Sequence, residues 1–99
     1  MTPRPIYHDD ATSDIAEAMA WYRSKKAGLD EQFLAAVLEC EAVIARFPKG
    51  APLVLKHFRQ LPLSGFPYVL LYGVWRDEII IYRVFHTSQH PKKKFKKRK

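Results

Sequence analysis

The chain has 99 residues and a mass of 11.5 kDa, room for one domain with one layered core and no spacious interior cavity. Its 47% hydrophobic and 27% charged residues exclude an intrinsically disordered chain, and no stretch approaches the roughly 20 apolar residues that span a bilayer. A single cysteine excludes an internal disulfide, and 17 Lys and Arg against 10 Asp and Glu give a formal charge of +7, which favours polyanionic partners.

Residues 1–5 (Met-Thr-Pro-Arg-Pro) predict no signal peptide, because no apolar segment follows them. With the lone Cys40 this predicts a reducing, cytoplasmic location and no membrane contact. Residues 3–9 are short and proline-bearing, which suits an edge strand. Asp10, Thr12 and Ser13 offer N-caps for a first helix, and Asp14 and Glu17 favour its first turn. Ile15, Met19 and Tyr22, with Ala18 between them, form its apolar stripe. Arg23, Lys25 and Lys26 load the last turn and Gly28 ends it. Asp30 caps a second helix whose stripe runs Leu29, Phe33, Val37, Cys40, Ile44 and Phe47, with Pro48 and Gly50 closing it. So short a linker predicts an antiparallel helical hairpin, and Cys40 falls on its core side.

Beyond Pro52 the period becomes strand-like. Residues 53–61 alternate as one strand, residues 66–75 as a second, and residues 78–85 as a third after a tight Arg76-Asp77 connection. The last two are apolar on both faces, as central strands are. The expected order is β-α-α-β-β-β, an α+β fold with the hairpin packed on one face of a small, mainly antiparallel sheet. Residues 1–91 form the domain and residues 92–99 a basic flexible tail.

That tail holds Lys92, Lys93, Lys94, Lys96, Lys97, Arg98 and Lys99. Without it the charge balances, but unevenly: residues 1–46 carry five cations and eight acids, residues 47–91 five cations and two acids. A run of this kind grips phosphate without reading sequence. Nucleic acid, the ribosome, an acidic partner and simple solubility all fit it.

No phosphate-cradling glycine loop and no serine elbow is present, and no cofactor is expected. His86 and His90 are four apart, but at a strand end rather than on a helix, so no metal site is expected. The remaining cluster is Lys56, His57, Arg59, Arg83 and His86 with Tyr68, Tyr72 and Tyr82. Alternation places Arg83 with Ile79, Ile81 and Phe85, and His86 with Ile80, Tyr82 and Val84. Basic groups interleaved with tyrosines on the sheet's open face would grip a nucleic-acid backbone and stack a base; ordinary exposed residues beside a half-covered sheet would look the same.

The phrase Phe66-Pro67-Tyr68-Val69-Leu70-Leu71-Tyr72, followed by a short turn, an Ile-rich strand and His86, resembles the RelE/ParE toxins of type II toxin–antitoxin systems. Trp21-Tyr22, Gly28-Leu29, Phe33, Pro48 and Arg59-Gln60-Leu61-Pro62-Leu63 fall in the matching order, so the resemblance spans roughly residues 6–91. It implies a cytoplasmic, growth-inhibiting toxin of the plasmid-stabilisation type. Its partner would be an antitoxin encoded next door, in a toxin–antitoxin hetero-oligomer.

Two targets occur in the superfamily, ribosome-bound mRNA and DNA gyrase. For mRNA cleavage the resemblance implies Lys56, Arg59, Arg83 and His86 as the catalytic set. For target binding it implies Arg59, Tyr68, Tyr72, Arg83, Lys92, Lys93, Lys94, Lys96, Lys97 and Arg98. The mRNA-cutting branch often carries an arginine where this chain has Val69, another where it has Gln89, and a tyrosine where the tail offers Phe95. These departures favour the ParE-like branch, a gyrase-binding protein rather than an enzyme. The alternatives are a RelE-like endonuclease and an inactive toxin-like scaffold.

Overall fold

A computed structural model describes residues 4–88. Strand β1 (Ile6–Tyr7) leads into helices α1 (Asp9–Lys25) and α2 (Leu29–Arg46), and strands β2 (Leu53–Leu55), β3 (Phe58–Pro62), β4 (Tyr68–Trp75) and β5 (Glu78–His86) follow. The sheet order is β1-β5-β4-β3-β2, antiparallel except for the β1–β5 pair. This is the expected α+β arrangement, with one strand more than alternation predicts. Lys56 and His57 make a tight turn, Lys56 at φ +29°, so residues 53–61 are a hairpin rather than one strand. Neither is a residue that announces such a turn.

Helix α1 begins one residue before the expected caps. His8 is its N-cap, and its Nδ1 accepts from the Asp10 N–H at 3.0 Å. The helix ends at Lys25, and Gly28, at φ +93°, reverses the chain directly into α2. That conformation needs a residue without Cβ. From α2, Phe33, Val37, Cys40 and Ile44 enter the core as expected. Phe47 does not: the helix stops at Arg46, and Phe47 stands 61% exposed.

The principal core lies between the helical hairpin and one sheet face. It joins Ala11, Ala18, Phe33, Val37, Cys40 and Ile44 to Leu70, Tyr72, Ile79, Ile81 and Val84. Each large side chain buried there contributes about 1.5–3 kcal/mol. Tyr7 donates to Glu41 Oε1 at 2.7 Å, tying the edge strand to α2. A second, smaller cluster of Val69, Leu71 and Phe85, with Phe58 and Tyr82 packed against it, sits on the other face.

The β4–β5 register slips between Leu71 and Tyr72: Tyr72 pairs with Ile81 and Leu71 with Arg83, so Tyr82 is an extra residue. Such a bulge reverses the alternation beyond it. Arg83 and Val84 both turn toward the helices, and Phe85 goes to the opposite face with Tyr82. Simple alternation therefore misplaces Val84, Phe85 and His86.

Candidate functional site

The face expected to be basic is aromatic. On the side away from the helices, Phe58 and Tyr82 meet edge to face at 5.3 Å, and Trp75 Nε1 donates to the Tyr82 hydroxyl at 2.9 Å. Gly73 lies beneath them, where a Cβ would come within 3.2 Å of both the Trp75 and Tyr82 rings. The absent side chain makes room for the pair.

The described residues of the expected site fall into four places. Arg59 and Tyr72 are cross-strand partners on the helix-facing side. Arg59 Nη1 donates to the carbonyls of Ala51 at 2.6 Å and Lys49 at 3.2 Å, and the Tyr72 hydroxyl donates to the Pro48 carbonyl at 2.8 Å. Together they hold the loop between α2 and β2. Burial raises the Tyr72 phenol's pKa and the Arg59 charge opposes that, so the hydroxyl remains a donor at neutral pH.

Arg83 is buried. Its Nε and Nη2 donate to Asp14 at 2.7 and 3.0 Å, and the same carboxylate accepts the Val84 N–H at 3.0 Å. Asp14 and Arg83 are 7% and 9% exposed. The hydrogen bond to Asp14 raises the arginine's pKa against the opposing cost of burial. The expectation of an arginine standing on the open face is thereby corrected: Arg83 shares the helix-facing side with Ile79 and Ile81, where a bidentate carboxylate from α1 receives it.

Tyr68 and His86 are the third group, cross-strand partners with ring centroids 5.2 Å apart. They close one end of a cleft of about 500 Å³ between α1 and the β4–β5 strand ends, lined also by Glu17, Trp21 and Tyr22. The His86 Nδ1 accepts the Ser88 N–H at 3.1 Å and lies 2.7 Å from the Ser88 hydroxyl. Burial, then the neighbouring Tyr22 and Asp14, raise the Tyr68 pKa, so it is a proton donor. Tyr22, Phe33, Phe66 and Tyr68 pack as one aromatic group behind the cleft. Among its described lining residues are two carboxylates, Asp14 and Glu17, and no lysine or arginine.

Lys56 lies in the β2–β3 turn, beyond Phe58, which pairs with Gly73. Tyr68, the partner of His86, is five residues along β4 from Gly73, so Lys56 and His86 are separated by about 17 Å along the strand alone. Lys92, Lys93, Lys94, Lys96, Lys97 and Arg98 lie outside the described residues, as do Gln89, His90 and Phe95.

Asp14 was legible only as a first-turn acid. Its position with Ala11 and Ala18, at i, i+3 and i+7 on one buried stripe, signals a carboxylate that needs a buried partner. Trp21 and Glu17 carry no such signal.

No curated protein matches the chain. A solved structure titled "Chromosomal ParDE TA system from P. aeruginosa" is similar to it in fold, with a TM-score of 0.72 and 19% identity over 86% of this chain and 96% of that one. The family model described as ParE toxin of type II toxin–antitoxin system, parDE, matches residues 6–91. The chain belongs to the ParE toxin family of type II toxin–antitoxin systems.

Proposed function

We propose that this toxin arrests bacterial growth by binding DNA gyrase in the cytoplasm, and that it does not cleave mRNA. One observation supports this most: the described lining of the cleft onto which His86 opens includes no lysine or arginine. Cleavage of a phosphodiester needs positive charge where negative charge develops. The arginines that would supply it, Arg59 and Arg83, are engaged with loop carbonyls and with Asp14. Lys56 stands at the far end of the sheet.

A cognate antitoxin fits the apolar residues left at the surface. Leu34 and Leu38 are exposed four residues apart on α2, and Leu53, Val54 and Leu55 are all exposed on edge strand β2. An amphipathic segment covering α2 and pairing with that edge would bury both. The C-terminal cations add a salt-sensitive attraction to target. Replacing Lys92, Lys93, Lys94, Lys96, Lys97 and Arg98 by glutamine should flatten the dependence of binding on salt.

The deciding experiment induces the protein without its antitoxin and follows thymidine and amino-acid incorporation together. An early fall in thymidine incorporation, with loss of supercoiling by purified gyrase, is expected. Early collapse of amino-acid incorporation would overturn the reading in favour of mRNA cleavage. Unchanged incorporation of both would identify an inactive scaffold.

A further inference from the structure

We propose that the groove beside Phe47 is an interface between two copies of this chain, in which the Phe47 ring of each copy enters the groove of the other and Lys49 of each pairs with Asp77 of the other. The groove, of about 720 Å³, lies between the α2–β2 loop and the β4–β5 turn. Phe47, Pro48 and Gly50 line it from the loop, and the cross-strand partners Val74 and Ile79 line it from the sheet. Lys49 stands on the loop side and Asp77 on the turn side. These two charges do not pair with each other, and neither forms an ion pair with any described residue.

The loop that carries Phe47 is fixed in place. The Gly50 N–H donates to the Phe47 carbonyl at 3.0 Å, the Tyr72 hydroxyl holds the Pro48 carbonyl, and Arg59 holds those of Lys49 and Ala51. A Cβ at Gly50 would come within 3.2 Å of both the Phe47 Cβ and its carbonyl oxygen, so glycine lets this turn close. The Arg46 guanidinium lies 5.6 Å from the centre of the Phe47 ring. A phenylalanine that is 61% exposed is thus presented on a braced loop at the lip of an apolar groove. Docking such a ring orders little that is not already ordered, and aromatic anchors seated in pockets dominate the energy of interfaces.

The occupant is a second copy because the patch is complementary to itself. A two-fold axis passing between Lys49 and Asp77 brings each cation to the other copy's carboxylate and each ring over the other copy's groove. An isologous contact requires a patch that carries both halves of every interaction. A polyanionic partner would be attracted by Lys49 and repelled by Asp77. Val43, which shares a smaller apolar hollow with Phe47, is 45% exposed and stands half a turn round α2 from Leu34. Pairing on this flank therefore leaves Leu34 and Leu38 uncovered for the antitoxin. One ring and one groove per copy make a contact below the roughly 1,200 Å² of stable complexes, so the association is weak, with a Kd of about 10–100 µM. The inference stands whatever the toxin's target.

The test is sedimentation velocity on the full chain, from about 5 to about 500 µM so as to bracket that Kd. The mass should rise from 11.5 kDa toward twice that value and no further. Phe47→Ser should keep the chain monomeric with little change in melting temperature, since the side chain is exposed. Lys49→Asp and Asp77→Lys should each weaken self-association by about tenfold or more, because each sets like charges against one another at both contacts. Mixed in equal amounts, the two variants carry opposite charges at both contacts, and the mixture should recover the dimer. A monomer at every concentration would overturn the proposal. So would a dimer that survives Phe47→Ser, or a mixture that stays monomeric although circular dichroism shows both variants folded. Masses climbing past the dimer would also overturn it, since they mark a head-to-tail contact.

Discussion

Replacing Asp14 by alanine removes three hydrogen bonds at once, two from the Arg83 guanidinium and one from the Val84 N–H, across a sequence separation of 69 and 70 residues. The arginine cannot escape to water without leaving β5, since its side chain is 11% exposed. Breaking a buried pair from one side costs about 3–5 kcal/mol. That is a large share of the roughly 5–15 kcal/mol that holds a domain of this size folded. Urea unfolding followed by circular dichroism should show that loss at an unchanged m-value, and the melting temperature should fall by about 15–30 °C. The double variant Asp14→Leu/Arg83→Met removes both charges and leaves the Val84 N–H unpaired, so its loss should be about 1–3 kcal/mol. It also separates architecture from chemistry. If Arg83 serves the fold, the double variant retains growth inhibition. If Arg83 is catalytic, it does not. A loss below about 1 kcal/mol in Asp14→Ala, the size of an exposed pair, would refute the argument.

Burial, aided by the Glu39 charge, pushes the Cys40 thiol up to about 11. Iodoacetamide at pH 8 should therefore modify it about 100-fold more slowly than an unhindered cysteine, and comparable rates would sink the claim. The folded chain holds that proton more tightly than the unfolded one, so this contribution is intact below pH 9 and declines by about 3 kcal/mol toward pH 11. Tyr7 and Tyr72 are raised by burial in the same sense. A urea midpoint unchanged between pH 8 and 10.5 would contradict it. Arg59→Met should destabilise by about 1–2 kcal/mol and speed amide exchange across residues 48–52, because two carbonyls lose a charged donor; exchange confined to its wild-type rate would reassign the side chain. Asp77 sits at φ +69° in the β4–β5 turn, where Asp77→Gly should raise stability by about 0.5–1 kcal/mol, read as a higher melting temperature.

Much of the fold was legible because it rests on local periodicity. The Phe33–Val37–Cys40–Ile44 stripe, the hairpin forced by Gly28 and the Arg76-Asp77 turn all express distances of a few residues. What escaped was non-local or unsignalled. Lys56-His57 turns the chain without glycine or asparagine. The bulge at Tyr82 depends on how β5 meets β4, which no residue within β5 announces. That one unpaired residue shapes the site, since it brings Val84 to the helix side beside Arg83 and sends Phe85 to the opposite face. A list of basic residues on alternating positions could not anticipate it, because alternation holds only while the register does. Phe47 was lost for a simpler reason: Arg46 ends the helix, and a stripe has no meaning past the last helical turn.

The sheet places its first strand beside its last, Ile6 against Ile80, with both helices and three strands between them. Closing so long a loop comes late in folding, after the local contacts have formed. An N-terminal fragment ending in the β4–β5 turn has neither a partner for β1 nor the guanidinium that Asp14 requires. Frameshifts and nonsense codons anywhere upstream of β5 should therefore silence the gene as completely as its deletion. Surviving colonies in a toxicity selection would then carry such lesions along most of the reading frame, while missense survivors concentrate at the few buried pairs that join its two halves.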